Sequence, residues 1–230
     1  MRTIGLLGGM SWESSLEYYK NINQGIKARL GKLHSAKIAM VSVDFEPIEI
    51  LQHKGDWKGS AKILSDAAKD IQNANADFLV ICTNTMHKVV PYIQKNINIP
   101  ILHIADATAE ILVADGVKKV ALLGTAFTME QEFYKDRLKS FALEVIIPNK
   151  KDRQVIHNII YEELCLGIIN QNSKDTYIKI INKLVDKGAE GVILGCTEIG
   201  MLIKPEDVCI KTYDTTFIHA QKAIDVALGD

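Results

Sequence analysis

The chain repeats itself, and that repeat constrains its fold more than any single motif. "IGLLGG" at 4–9 matches "VALLGT" at 120–125, and "LVICTN" at 79–84 matches "ILGCTE" at 193–198. More loosely, "HIADATA" at 103–109 matches "TYDTTFI" at 212–218. The three matches come in the same order at a similar spacing, the sign of a duplicated unit. Each copy brings a glycine loop, a Cys-Thr pair and an aspartate to comparable strand ends.

Between these landmarks, short apolar runs alternate with helical periodicity. Strands are expected at 3–9, 37–45, 77–82, 99–104, 119–125, 143–148, 191–196 and 207–214. Helices are expected at 11–31, 57–75, 85–96, 106–116, 128–141, as a pair within 152–188, and at 216–229. Ser11 reads as an N-cap and Gly31 as a stop; Thr128 reads as the cap of 128–141. Pro91 falls inside 85–96, where it either opens or kinks the helix. Continuous apolar strands separated by helices mean parallel sheets covered on both faces. The expected class is therefore α/β, with two pseudo-symmetric lobes, each a parallel sheet flanked by helices, and the active site between them. Residues 1–104 with 214–230 form the first lobe, and 105–213 the second.

Composition narrows the function. The 230 residues carry 27 basic and 28 acidic side chains, for a net charge of −1, and 47% are hydrophobic. That balance argues against a nucleic-acid partner, which calls for a basic surface. No apolar run approaches the roughly 18 residues of a membrane span. The N-terminal run before Gly8-Gly9 falls short of the about 7–15 residues of a secretory core, so a cytoplasmic protein is expected.

The four cysteines, Cys82, Cys165, Cys196 and Cys209, show no CxxC or CxxH spacing, so no metal site is expected. Cys165 and Cys209 take the default reading of a small buried hydrophobe. Cys82 and Cys196 differ, because each stands at the exit of a buried strand, where open parallel sheets place their ligands. Each precedes an expected helix start, whose unpaired N–H groups bind carboxylates and lower a nearby thiol from about 8.5 towards neutrality. Two such thiols flanking one crevice suit removal of a proton from one face of a carbon and delivery to the other. One must be thiolate and the other thiol. The Cα proton of an amino acid is very weakly acidic, so the carbanion needs preorganised donors. Thr83, Asn84, Thr85 and Thr197 are available, and no lysine site of the pyridoxal-phosphate type stands out.

Other residues read more simply. Gly8-Gly9 lacks dinucleotide-site spacing and reads as a turn that lets backbone approach a ligand. His87 could polarise a thiol or merely brace the loop. Asp106 and Asp214 read as N-caps, Trp12, Tyr18 and Tyr19 as core, and "PNKKDR" at 148–153 as a solvated loop. A small-dicarboxylate isomerase or decarboxylase, a Cys–His hydrolase and a two-lobed amino-acid-binding module remain as alternatives.

"IGLLGGMSWESS", "CTNTMHK" and "GCTEIG", supported by "LLGT", "TMEQEFY", "HIADAT" and "YEELCLG", resemble the aspartate/glutamate racemase superfamily across nearly the whole chain. The nearest likeness is to its broad-specificity amino-acid racemases. The resemblance implies two α/β lobes, no cofactor, an amino-acid substrate and a homodimer. It implies Cys82 and Cys196 as the acid/base pair. It implies substrate contacts from Met10, Gln52, the loop Thr83, Asn84 and Thr85, and from Thr125, Thr197 and Glu198. Aspartate racemases of this group carry an Arg after the second strand and a Lys four residues after a Tyr. Here "VDFEPIEILQ" holds no Arg, and Tyr161 is followed four residues on by Cys165. A substrate carboxylate buried there without a cation would be costly, so a neutral or mixed side-chain pocket is expected.

Overall fold

In the computed structural model, which describes residues 1–229, both copies of the repeat fold into a four-stranded sheet of the same order. The first contains β1 (Ile4–Gly8), β2 (Ile38–Ser42), β3 (Phe78–Ile81) and the two-residue β4 (Ile101–Leu102), ordered β2-β1-β3-β4. The second contains β5 (Lys119–Gly124), β6 (Glu144–Ile146), β7 (Gly191–Gly195) and β8 (Lys211–Asp214), ordered β6-β5-β7-β8. Every pairing is parallel. The doubled parallel α/β plan is the one the repeat predicts. Two compact units result: residues 1–104 with the chain from His219 onward, and residues 105–218.

The helices follow in chain order. The first unit holds α1 (Trp12–Leu30), α2 (Phe45–His53), α3 (Trp57–Asn73) and the single turn α4 (Val90–Ile93); α5 (Ile104–Ala114) leads into the second unit. There follow α6 (Ala126–Glu130), α7 (Glu132–Lys139), α8 (Lys150–Glu162), α9 (Gln171–Val185) and α10 (Ile199–Leu202). The last helix, α11 (Thr215–Leu228), brings the chain back to the first unit.

Strand alternation sorts the first unit's core onto two faces. Leu7, Leu79 and Ile81 pack with Leu64, Ala68 and Ile71 of α3. Leu6, Phe78 and Val80 pack on the other face with Tyr18, Ile22 and Ile26 of α1 and with Ala220 and Ile224 of α11. In the second unit Leu123, Val192 and Leu194 pack with Tyr177, Ile181 and Leu184 of α9. Each fully buried Leu or Ile contributes roughly 1.5–3 kcal/mol by leaving water.

Local chemistry sets the element ends. Ser11 accepts from the Ser14 N–H and caps α1, which stops at Gly31 with φ 75°. Tyr18, Ile22 and Ile26 form the buried stripe of α1; Trp12 and Tyr19, expected in the core, fall off that stripe and are exposed. The single helix expected over 85–96 is instead a 3₁₀ turn at Thr85–Val89, α4 and a second 3₁₀ turn at Gln94–Asn96. Pro91 has no N–H to continue a helix from the preceding turn, so α4 begins anew with the proline in its first turn. The helix expected over 128–141 is likewise split, because Gln131 is extended at ψ 149°. Its cap is Thr125, not Thr128: the Thr125 hydroxyl accepts from the Thr128 N–H. The expected loop at 148–153 is the start of α8, capped by Asn149. No helix was expected at 45–53, yet α2 forms there, with Asp44 before it and Pro47 in its first turn. No helix among the described residues is long and apolar enough to cross a membrane.

Gly9 is the one glycine whose place is unambiguous. It has φ +96°, and a Cβ there would sit 2.1 Å from the Val43 carbonyl oxygen. The Val43 N–H bonds to the Gly8 carbonyl at 3.0 Å. The close approach that the glycine permits in this structure is to the neighbouring Val43 backbone.

Candidate active site

In the first unit, the chain leaves β3 at Ile81, and the Cys82 N–H still bonds to the Leu7 carbonyl at 2.9 Å. Cys82 therefore lies on the same face as Val80. Its side chain is fully buried in the cluster of Ile4, Leu6, Tyr18, Val80 and Ile224. The nearest polar atom its sulfur engages is the Val80 carbonyl, at 3.9 Å. Burial pushes its thiol far above the ordinary value. This corrects the expectation that Cys82 is a lowered, reactive thiol at a helix start. The segment after it is a 3₁₀ turn, too short for a useful dipole.

Thr83, one residue on, is the first partly exposed residue after the buried strand. Its carbonyl lies 2.8 Å from Nδ1 of His87. The other ring nitrogen, Nε2, accepts from the Ile104 N–H at 3.2 Å. A carbonyl acceptor at Nδ1 and an N–H donor at Nε2 fix a neutral imidazole with its proton on Nδ1. His87 is thus a brace for the Thr83 backbone, and the reading in which it polarises the Cys82 thiol is corrected. Its ring packs edge-on against His103, with centroids 4.6 Å apart. Asn84 and Thr85 are buried.

Two other expected substrate contacts in this unit behave differently. Met10 is buried among Leu7, Ile48 and Met86 in the core of the α3 face. Gln52, on the last turn of α2, is 3% exposed, and its Oε1 accepts no hydrogen bond from the protein. Its amide nitrogen reaches only the Met86 sulfur, at 4.0 Å. A buried acceptor without a donor costs about 1–3 kcal/mol, which is understandable where a ligand supplies the donor. Nearby, the Lys88 ammonium sits 3.7 Å from the ring centre of Trp57, and burial lowers its pKa.

In the second unit, Cys196 follows Gly195 at the end of β7 and is only partly buried, against the α9 face. Its thiol donates to Oε2 of Glu198 at 2.8 Å, and the Thr197 hydroxyl donates to the same oxygen at 2.6 Å. Burial raises the Cys196 thiol well above its ordinary value, and the Glu198 carboxylate and Cys165 add to the rise. The expected lowering fails here too, because α10 is a single turn and the nearest charge is negative. Glu198, expected on the substrate, is positioned to accept the thiol proton. Thr125 is engaged in capping α6. Cys165 is half-buried against this core and Cys209 is exposed, so neither is the buried hydrophobe expected.

The two aspartates part ways. Asp214 accepts from the N–H groups of Thr216 and Phe217 at the start of α11. Asp106 lies within α5 and makes a two-pronged pair with Arg137, at 2.6 and 2.7 Å. Thr216 was missed by sequence reasoning: it is buried, and its hydroxyl has no hydrogen-bond partner. The only signal was its place just after a strand-end aspartate.

These strand ends, doubled and each carrying polar residues, invite comparison with known proteins. The sequence profile of the Asp/Glu/Hydantoin racemases matches residues 7–223. The chain belongs to that family. It is 25% identical over 227 residues to the broad specificity amino-acid racemase RacX of Bacillus subtilis, covering 98% of both chains. Its fold superposes on a Yersinia pestis protein provisionally described as an Asp/Glu racemase, with TM-score 0.93, 52% identity and coverage of 99% and 100%. It superposes on an aspartate racemase homologue from Pyrococcus horikoshii with TM-score 0.86, 37% identity and the same coverage. An Asp/Glu-type racemase is therefore the family's activity to explain on these residues.

Proposed function

We propose that this family member is a cofactor-independent amino-acid racemase in which Cys196 is the group that exchanges the Cα proton. The observation that carries the reading is the Cys196–Thr197–Glu198 cluster: the thiol of a partly exposed residue hydrogen-bonded to a buried carboxylate, just past a parallel strand. A thiol with a raised pKa holds its proton at rest. Transfer of that proton to Glu198 leaves a thiolate, strong enough to attack a weakly acidic C–H bond. The thiolate then takes the Cα proton, and the electron pair spreads into the substrate carboxylate. Donors there set the barrier, and Thr197, beside the thiol, is the group we assign to it. The chain supplies the base itself, so the reaction as written needs no carrier.

We further propose a broad or non-aspartate-restricted substrate range. Tyr161 is followed four residues on by Cys165, and "VDFEPIEILQ" brings no Arg, so nothing at those positions would neutralise a side-chain carboxylate. Separate L and D samples of alanine, glutamine, aspartate and glutamate are incubated in deuterated water and followed by proton NMR. Loss of the Cα proton signal is expected for at least one, and Cys196→Ser should slow it by about 10²–10⁴-fold. Absence of exchange across the whole panel, or an unimpaired Cys196→Ser enzyme, would overturn the reading.

A further inference from the structure

We infer that Cys165 and Cys196 form a dithiol modification site: a peroxide oxidises Cys196, Cys165 captures it as a disulfide, and the enzyme is reversibly switched off. The loss of activity rests on the racemase reading above; the disulfide itself does not.

Three observations within the second unit carry it. The first is placement. Cys165 stands on the 3₁₀ turn Leu164–Leu166 that follows α8, and this turn packs against α10, which opens three residues after Cys196. Both cysteines lie against one buried cluster, that of Ile160, Leu164, Tyr177 and Ile199. The pair also act on the same groups. Tyr177, fully buried in that cluster, is raised by burial first and then by Cys196 and Cys165 in turn. Cys165 likewise raises Cys196, after burial and Glu198. Coulomb effects of this kind fall off with distance, so the two thiols are neighbours.

The second is access. Cys165 and Cys196 are both partly buried, open to a small oxidant and still held by the core. Cys82 is fully buried in hydrocarbon. Val208 and Ile210 pack on the second unit's core, and Cys209 between them is exposed. The third is activation. The Cys196 thiol donates to Oε2 of Glu198 at 2.8 Å. A thiolate, not a thiol, attacks a peroxide, and transfer of this proton to Glu198 supplies one. Cys165 sits on a short turn and not inside an α-helix, so its backbone can adapt to the narrow Cα spacing of a disulfide.

The steps balance. The Cys196 thiolate attacks one oxygen of hydrogen peroxide. An S–O bond forms, the O–O bond breaks, and hydroxide leaves, becoming water with the proton held by Glu198. The product is a sulfenic acid. The Cys165 sulfur then attacks the Cys196 sulfur. The S–S bond forms, the S–O bond breaks, and the departing hydroxide takes the Cys165 proton as a second water. The thiols are oxidised and the peroxide is reduced. A dithiol reductant reverses the bond by exchange and is itself oxidised to a disulfide. While its sulfur is bonded, Cys196 cannot take a Cα proton.

The test treats the native protein with a small excess of hydrogen peroxide and removes the remainder with catalase. Peptide mass spectrometry, circular dichroism and Cα exchange in deuterated water are then read. A peptide pair joined through Cys165 and Cys196 is expected, with fragmentation distinguishing Cys196 from Cys209. Exchange should fall by about 10²-fold or more. Dithiothreitol should return it to within about twofold of the untreated rate. Cys165→Ser has no capturing thiol. Peroxide should carry its Cys196 on to sulfinic acid, and dithiothreitol should not restore its own untreated rate. Cys209→Ser should give the native result. A folded, peroxide-treated native protein without the Cys165–Cys196 link, or a Cys165→Ser variant that recovers as the native does, would overturn the inference. The link formed in a protein that exchanges no amino acid would support the site and sink the racemase reading.

Discussion

Acid should loosen the first unit through one buried histidine. His219, on α11, has no solvent exposure. Its Nδ1 accepts from the Tyr18 hydroxyl at 2.8 Å, and its Nε2 lies 3.0 Å from the Leu102 carbonyl, to which it donates. Both nitrogens are satisfied in the neutral form, and a proton on Nδ1 would face the Tyr18 hydroxyl, now obliged to accept. Burial first and nearby His87 second lower the pKa to about 3, with the Leu102 carbonyl opposing. The unfolded value is about 6.5, so the unfolded state binds the proton first. Stability from this group is therefore complete above pH 6.5 and falls as pH drops from there towards 3. Linkage gives a loss of about 2 kcal/mol between pH 7 and pH 5. Urea unfolding at the two pH values, read by tryptophan fluorescence, measures it. Trp12 and Trp57 are the chain's two tryptophans, and both lie in the first unit. His219→Gln keeps a donor for Leu102 but cannot be charged. It should be less stable at pH 7, by about 1–3 kcal/mol for the disturbed bonds. Its change between pH 7 and pH 5 should be smaller than the native protein's by about 2 kcal/mol. Equal pH changes in the two proteins would refute the reasoning.

Two further outcomes are expected. Because Glu198 takes the Cys196 proton within the cluster, Cα exchange should stay nearly level through pH 7–9, without the climb towards 8.5 that an ordinary thiol losing its proton to water gives. Glu198→Gln takes away the acceptor of the thiol proton and should slow Cα exchange by about 10²–10⁴-fold; an unimpaired variant would show that the carboxylate does not act on the thiol. Gly9→Ala forces a Cβ against the Val43 backbone at φ +96°, whereas Gly31→Ala meets nothing within 4 Å. Thermal melts should show the Gly31 variant losing only about 1 kcal/mol of backbone preference and the Gly9 variant losing clearly more, with contrary ranking counting against the packing described.

The repeat, the apolar runs and the caps were legible because they are local. Ser11 could be read as a cap from its neighbours alone, and Gly31 as a stop. The segments that broke differently did so for reasons just as local, though subtler. Pro91 restarted a helix instead of kinking one, and Thr125 took the cap from Thr128. The α2 helix was also readable in retrospect, from Asp44 and a proline in the first turn. Trp12 and Tyr19 were not, since which side of α1 meets the sheet depends on what packs there.

The amino-acid order by itself determined a duplicated parallel α/β chain with polar residues at matching strand ends. It also fixed which residues compete for the chemistry. Only the tertiary structure decided which face of its sheet each of the two cysteines takes. Two identical Cys-Thr pairs look equivalent along the chain, but each β-strand is held in register by hydrogen bonds to its neighbour, and successive side chains leave on opposite faces. A one-residue difference in where the motif meets that register puts one sulfur into hydrocarbon beside Tyr18 and Ile224, and the other beside Glu198.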